Sequence, residues 1–246
     1  MRSYFGGRGA QIHARITGEG APLILLPPAP HTGAYFDTIA QYLTGFEIMS
    51  VDYPGYGGSD RIETPSIRGY AAALSPYVPE NAILVGFHTG NLVAAEIARR
   101  LSVKTIIMID VPFFDAETRQ SYASKLSDVG FPTSVEDTFS KAVAQRDESV
   151  SESRAFDLWT EGLRSGAYRL DAFRAAFDYD SVSGLLGLTC PVHLIATQSS
   201  LLEPTRLAAA TMGVSLTERI DITAPVFEKH PQEMAAAIQD AIRGQV

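Results

Sequence analysis

His88 stands at the centre of Gly86-Phe-His-Thr-Gly90, between the apolar run Ala82-Ile-Leu-Val85 and the helical stretch Asn91 to Leu101 (NLVAAEIARRL). A strand that passes through Gly-x-His-x-Gly into a helix must turn sharply, and the small flanking residues let the turn close while the central side chain is thrust outward. An imidazole presented in this way has chemistry of its own. With an unperturbed pKa of about 6.5 it can act as a general base on water, or attack an acyl group directly. The resulting acyl-imidazole is labile, so its turnover needs less help than that of an acyl-serine. Such a histidine wants an orienting carboxylate, and Asp110 ends the next buried apolar run, Lys104-Thr-Ile-Ile-Met-Ile. His31, in a proline-rich loop, is a second candidate acid or base.

A plainer reading stands beside this one. His88 can simply fill the turn, bonded to Asp110 or to a backbone carbonyl, in a protein that binds a molecule without transforming it. His31 then belongs to the loop, and Asp110 caps the turn that follows its strand. His193 lies mid-strand and reads as a core histidine, whereas His13 and His230 read as surface or structural. Cys190 precedes Pro191 at a strand start with no partner base in view and reads as packing. His88, His31 and Asp110 are possible metal ligands by type, but their spacing matches no metal motif, so neither a metal nor a cofactor is expected.

The elements that must position these residues follow from periodicity. Strands are expected at Gln11–Thr17, Pro22–Leu26, Phe46–Val51, the run before His88, Lys104–Asp110, Pro191–Ala196 and Ser215–Ile222. Several are continuous apolar runs, as in strands covered on both faces. Helices are expected over Thr32–Leu43, Ile67–Tyr77, Asn91–Leu101, Glu203–Met212 and Pro231–Arg243, the last with Pro at its start. Asp52-Tyr-Pro-Gly-Tyr-Gly-Gly-Ser-Asp60 is too rich in Gly and Pro to be anything but a shaped loop. From Val111 to about Leu188 the strand pattern gives way to helical stretches carrying aromatics, among them Tyr122, Phe139, Phe156, Trp159, Phe173 and Phe177. Strands alternating with helices imply an α/β fold: a mainly parallel sheet with helices on both faces and a helical cap inserted at about 111–188.

The 246 residues fit a single domain spanning 1–246, and 46% hydrophobic residues suffice for a large core. A net charge of −8 without a basic face argues against nucleic acid as a partner. No apolar run reaches the ~18 residues of a membrane span, and the first residues carry no apolar secretory stretch. A lone cysteine cannot form an internal disulfide, which suits a reducing compartment. The expectation is a soluble, cytoplasmic protein whose partner is a small, largely apolar molecule.

Four segments, taken in order, resemble the α/β-hydrolase superfamily over nearly the whole chain. They are Leu25-Leu-Pro-Pro-Ala-Pro30 with Tyr35-Phe36, then Val51 to Asp60, Gly86 to Gly90, and His230-Pro-Gln-Glu-Met-Ala-Ala-Ala-Ile238. The resemblance implies the α/β-hydrolase fold, a cap where the helical insertion lies, a cofactor-free hydrolase or an inactive relative, and a cap surface open to homodimer contact. It makes the turn at His88 the nucleophile elbow, where Ser, Cys or Asp is usual. Carried across, the acid position falls on Ser199 or Ser200 and the base position on Ala224. A hydroxyl nucleophile needs base and acid in mutual reach, so the ordinary serine-hydrolase relay is excluded. What carries over is an oxyanion hole from the backbone N–H groups of Ala29 and Thr89, and Asp110 as an alternative source of the acid. Ser199 and Ser200 can offer hydroxyls to substrate or to His88, and Phe156 and Trp159 are candidate linings of an apolar pocket. The reading is thus a hydrolase-like enzyme on a small ester or acyl compound, or alternatively an inactive binder of a small molecule.

Overall fold

A computed structural model describes residues 1–6, 10–126, 134–144 and 146–244. Eight strands form one sheet: β1 (Arg2–Phe5), β2 (Ile12–Thr17), β3 (Ala21–Leu26), β4 (Phe46–Val51), β5 (Ile83–Phe87), β6 (Thr105–Ile109), β7 (Val192–Gln198) and β8 (Ser215–Thr223). Their order is β1-β2-β4-β3-β5-β6-β7-β8, antiparallel from β1 to β4 and parallel from β4 to β8. The central strands β5 and β6 are buried at every residue, which is why their sequences show no polar alternation.

Two apolar layers sandwich the sheet. One is built on α1 (Ile67–Leu74), α2 (Thr89–Ala98), and residues of α6 (Asp171–Asp178), α7 (Ser181–Leu185) and α8 (Leu202–Met212). The other holds Phe36, Ile39, α9 (Val226–Lys229) and α10 (Pro231–Arg243). Between β6 and β7 the chain leaves the sheet to form α3 (Ala116–Lys125), α4 (Val135–Ala144), α5 (Glu152–Leu163), then α6 and α7. Within the expected insertion, residues 127–133 and 145 lie outside the described ones.

Two local expectations change. Thr32–Leu43 is not one helix but two short 3-10 turns, Gly33–Phe36 and Ile39–Gln41. Gly33 lies so close to β4 that a Cβ there would sit 2.4 Å from the Ser50 carbonyl oxygen, and its N–H donates to Asp52. The segment follows the sheet instead of coiling away from it. The second change is β1, a short edge strand whose exposed and half-exposed residues give no apolar signal.

The Gly- and Pro-rich stretch is scaffold, as expected of it. Asp52 is buried and accepts from Gly58 N–H, while its Oδ2 lies 2.7 Å from His13 Nδ1. Tyr56 carries the stretch to the cap, donating its hydroxyl to the Arg169 carbonyl and accepting from Ala172 N–H. On the other side of the cap, Arg154 of α5 donates to Glu228 of α9 and to the Ala34 carbonyl.

Packing at the turn before α2 is equally tight. A Cβ on Gly90 would meet the Leu26 backbone oxygen at 2.0 Å. Backbone cannot yield as a flexible side chain can, so Gly90→Ala is expected to cost about 3 kcal/mol, the upper end for overpacking. Urea denaturation should show a lowered midpoint at unchanged slope.

Candidate active site

The parallel register of β5 and β6 creates the site. Phe87 pairs with Ile109, so His88 and Asp110 are the next residues on adjacent strands, leaving the sheet side by side at its C-terminal edge. In open α/β sheets this edge is where ligands bind. Both residues have φ of 49°, in the left-handed region that costs a residue with a Cβ of order 1–3 kcal/mol. Asn91, fully buried in the first turn of α2, pins them together. Its side-chain amide donates to the carbonyls of Ile109 and Asp110, and its Oδ1 accepts from Ile109 N–H. His88 N–H itself donates to Ile109 O at 3.2 Å.

This conformation turns the His88 ring toward a cavity of about 300 Å³ between sheet and cap. Its wall is largely aromatic, with Phe114, Tyr122, Phe173 and Phe177; Thr89, Ser200 and Leu201 complete the side nearest the elbow. Of the His88 side chain 38% is exposed, yet Nε2 is buried without a hydrogen-bond partner. That nitrogen lies 4.0 Å from Asp110 Oδ2, beyond hydrogen-bond reach. The carboxylate is fully buried and held by another residue: Oδ1 accepts from Thr197 N–H at 2.8 Å and Oδ2 from the Thr197 hydroxyl at 2.6 Å.

Burial sets the electrostatics. It pulls the His88 pKa down to about 4, so the ring is neutral at ordinary pH. Burial also raises the Asp110 carboxyl above its usual range, opposed by the bonds from Thr197 and Ser199. His31 is likewise lowered to about 4, first by burial, then by the Arg154 guanidinium and by His88, against a hydrogen bond to the Leu158 backbone.

The structure brings some of the sequence-derived residues together and separates others. His88, Thr89 and Ser200 share the cavity, with Asp110 and Ser199 directly behind it. His31 and Trp159 line a separate, smaller cavity of about 160 Å³ that also meets Pro225, next to Ala224. There His31 Nδ1 and Trp159 Nε1 are buried without partners. Phe156 lines neither cavity and packs on Phe139 within the cap, ring centroids 5.7 Å apart. Ala29 is buried in a loop covered by α5, where Gly162 closes on Pro30, and lines neither cavity. Among the described residues, no group of three or more His, Cys, Asp or Glu is placed to hold a metal ion, and no helix is long and apolar enough to cross a membrane.

Sequence reasoning missed Asn91, Thr197 and Phe114, and gave Tyr122, Phe173 and Phe177 no part in the pocket. The signal for Asn91 was a polar residue in a stretch otherwise apolar enough to be buried. Nothing local marks the aromatics, because their shared wall arises only when α3 packs on α6.

An eight-stranded, mostly parallel sheet with a strained elbow between β5 and α2 defines the α/β-hydrolase fold. The chain belongs to the alpha/beta hydrolase family, whose family model matches residues 23–237. Among curated relatives, the pimeloyl-(acyl-carrier protein) methyl ester esterase of Vibrio cholerae serotype O1 is 34% identical over 110 residues, 43% of each chain. The biotin biosynthesis bifunctional protein BioHC of Cellvibrio japonicus is 23% identical over 218 residues, 78% of this chain and 41% of that one. The chain thus spans less than half the length of these relatives. Among solved structures, E-2-(acetamidomethylene)succinate hydrolase superposes with a TM-score of 0.79 at 18% identity, over 99% of both chains. An esterase from Exiguobacterium antarcticum gives 0.77 at 16%, over 99% of this chain and 100% of that one. At such identities the likeness is one of fold.

Two neutral imidazoles with lowered pKa should make the fold acid-sensitive. Each has a folded pKa of about 4 against about 6.5 unfolded, so between these values the unfolded chain binds more protons and stability falls as pH drops. Asp110, raised in the fold, works the other way. The melting temperature of His31→Gln should therefore fall less than that of the wild type between pH 6.5 and 4, which thermal scans across that window measure directly.

Proposed function

We propose that this protein is an ester hydrolase acting on small, largely apolar esters through His88. The observation that carries the reading is a neutral imidazole held at an elbow with φ of 49°, opening on an apolar cavity with a buried carboxylate behind it. Backbone strain of this kind persists where the surroundings over-determine it, and it concentrates at functional sites. The curated relatives with ester-hydrolase names support the same class.

In this mechanism the Nε2–H faces Asp110, a tautomer assigned from the carboxylate it faces. The lone pair then resides on Nδ1. As general base, the ring takes a proton from water as the water oxygen attacks the ester carbonyl, and returns that proton to the departing alkoxide. As nucleophile, the same lone pair attacks the carbonyl, alkoxide leaves and takes a proton from water, and the hydroxide so formed cleaves the acyl-imidazolium to acid and free ring. Developing imidazolium draws Asp110 into a hydrogen bond from its resting 4.0 Å, as catalytic contacts commonly tighten in the reacting complex. Thr89 N–H, at the N-terminus of α2, supplies an oxyanion donor.

His88→Ala is expected to lower kcat/KM for p-nitrophenyl butyrate by roughly a hundredfold to ten-thousandfold, the span of general-base catalysis. Serine-directed fluorophosphonates should leave the wild type unlabelled. Because the deprotonated ring is the active form, kcat/KM should rise with pH through about 4 and level off well below the 6.5 of a free histidine. Full activity in His88→Ala, or a limb near 6.5, would remove the reading.

A second reading has its own support: both Asp110 oxygens are already bonded to Thr197, so His88 has no committed partner. A non-catalytic small-molecule binder fits that arrangement. In that case an apolar ester raises the melting temperature of wild type and His88→Ala alike and is recovered intact.

A further inference from the structure

The aromatic wall of the His88 cavity is not its end. Phe114, Tyr122 and Ser200 line that cavity and also an outer groove of about 520 Å³. The floor of the groove is apolar, with Val182, Pro204 and Leu207. The rings connect the two spaces as a row. Phe173 stacks on Phe177 at 6.5 Å, Phe177 on Tyr122 at 5.5 Å and 11°, and Tyr122 meets Phe114 at 5.1 Å. At the outer end Leu207 is 57% and Tyr122 41% exposed, so the track reaches the surface with large side chains left in water. Contiguous exposed apolar surface leading from a polar centre is the mark of a ligand path.

The rim is acidic. Asp115 caps α3, and the Thr118 N–H it accepts holds its carboxyl below the usual range, so it stays ionised. Glu203 shares Arg206 with Glu218, leaving carboxylates in excess there. Lys125 also lies on this side, 5.7 Å over the Tyr122 ring, while Arg119 nearby is occupied by the Phe177 carbonyl and Asp180.

We propose that the cavity and groove form one continuous track for an unbranched, medium-length alkyl chain of the substrate, its reacting end at His88 and its far end uncharged, between Asp115 and Glu203. Continuity through Phe114, Tyr122 and Ser200 argues for a chain attached to the reacting group, and the rim charges argue against a terminal carboxylate. The inference rests on the His88 reading only for which end is buried.

Calorimetric titration of the whole protein with 1-butanol, 1-hexanol, 1-octanol and 1-decanol tests it without requiring turnover. Affinity should rise about fourfold per added methylene, the increment for burying one CH₂. Leu207→Glu, a change at an exposed site, should flatten that rise beyond hexanol. ω-Hydroxyoctanoate should bind about tenfold more weakly than octanol, the sense expected for a carboxylate near like charges. An affinity that stays flat from butanol upward overturns the track, as does an unaltered rise in Leu207→Glu. Equal or tighter binding of ω-hydroxyoctanoate would direct the chain end to Lys125 and overturn the uncharged terminus. If chain-length dependence holds while esters survive unchanged, the hydrolytic reading fails and the track stands; turnover with a flat series does the reverse.

Discussion

Two adjacent strands that end together, each on a residue forced to positive φ, set the terms for everything around this site. His88 and Asp110 occupy equivalent places beyond β5 and β6, and neither conformation is one that a residue with a Cβ adopts without support. The support is the buried Asn91 amide, which spends its hydrogen-bonding capacity on Ile109 and Asp110. Gly86 and Gly90 supply the clearance, since a Cβ at Gly86 would lie 2.7 Å from Asn91 N and one at Gly90 would strike Leu26 O. The geometry of one turn thereby fixes the distance between an imidazole and a carboxylate that belong to different strands.

That distance, 4.0 Å, has to be read with the charges. Burial disfavours imidazolium at His88 and carboxylate at Asp110 alike, and at His88 it leaves the resting ring neutral. Thr197 keeps the carboxylate paired when the ring is neutral. A carboxylate already satisfied gains little from a neutral ring and much more from an imidazolium, because charged hydrogen bonds are the stronger ones. The arrangement therefore favours protonation of His88 when a reaction drives it there, rather than at rest.

The sheet was legible from the chain because its central strands are buried on both faces and read as unbroken apolar runs, as in Ile83–Val85 and Ile106–Ile109. The elbow was legible because glycines at 86 and 90 flank one protruding side chain. Where the sequence misleads, the cause is tertiary. Tyr35, Phe36 and Ile39 have helical spacing, yet Gly33 pressed against β4 holds the segment in two 3-10 turns. Arg2–Phe5 pairs only because β2 offers a free edge. Trp159 and Phe156 sit three residues apart on α5, but α4 takes Phe156 as packing while Trp159 faces the His31 cavity. Residues that form the His88 cavity come from α3, α6, the elbow and the loops after β6 and β7, and no local pattern could assign them to one wall.

On the proposed reading, the three departures from a hydroxyl-based site are a single change. A serine at position 88 would need a base to take its proton and an acid to hold that base, because a hydroxyl is a weak nucleophile alone. Imidazole carries its lone pair in the neutral form that burial already enforces. Position 224 can then be alanine, and position 199 can be serine in place of a carboxylate. Pro225 is left lining the His31 cavity, where the fold would otherwise bring a base histidine toward the elbow. On that reading the histidine needs neither the base nor the acid that a hydroxyl at position 88 would need.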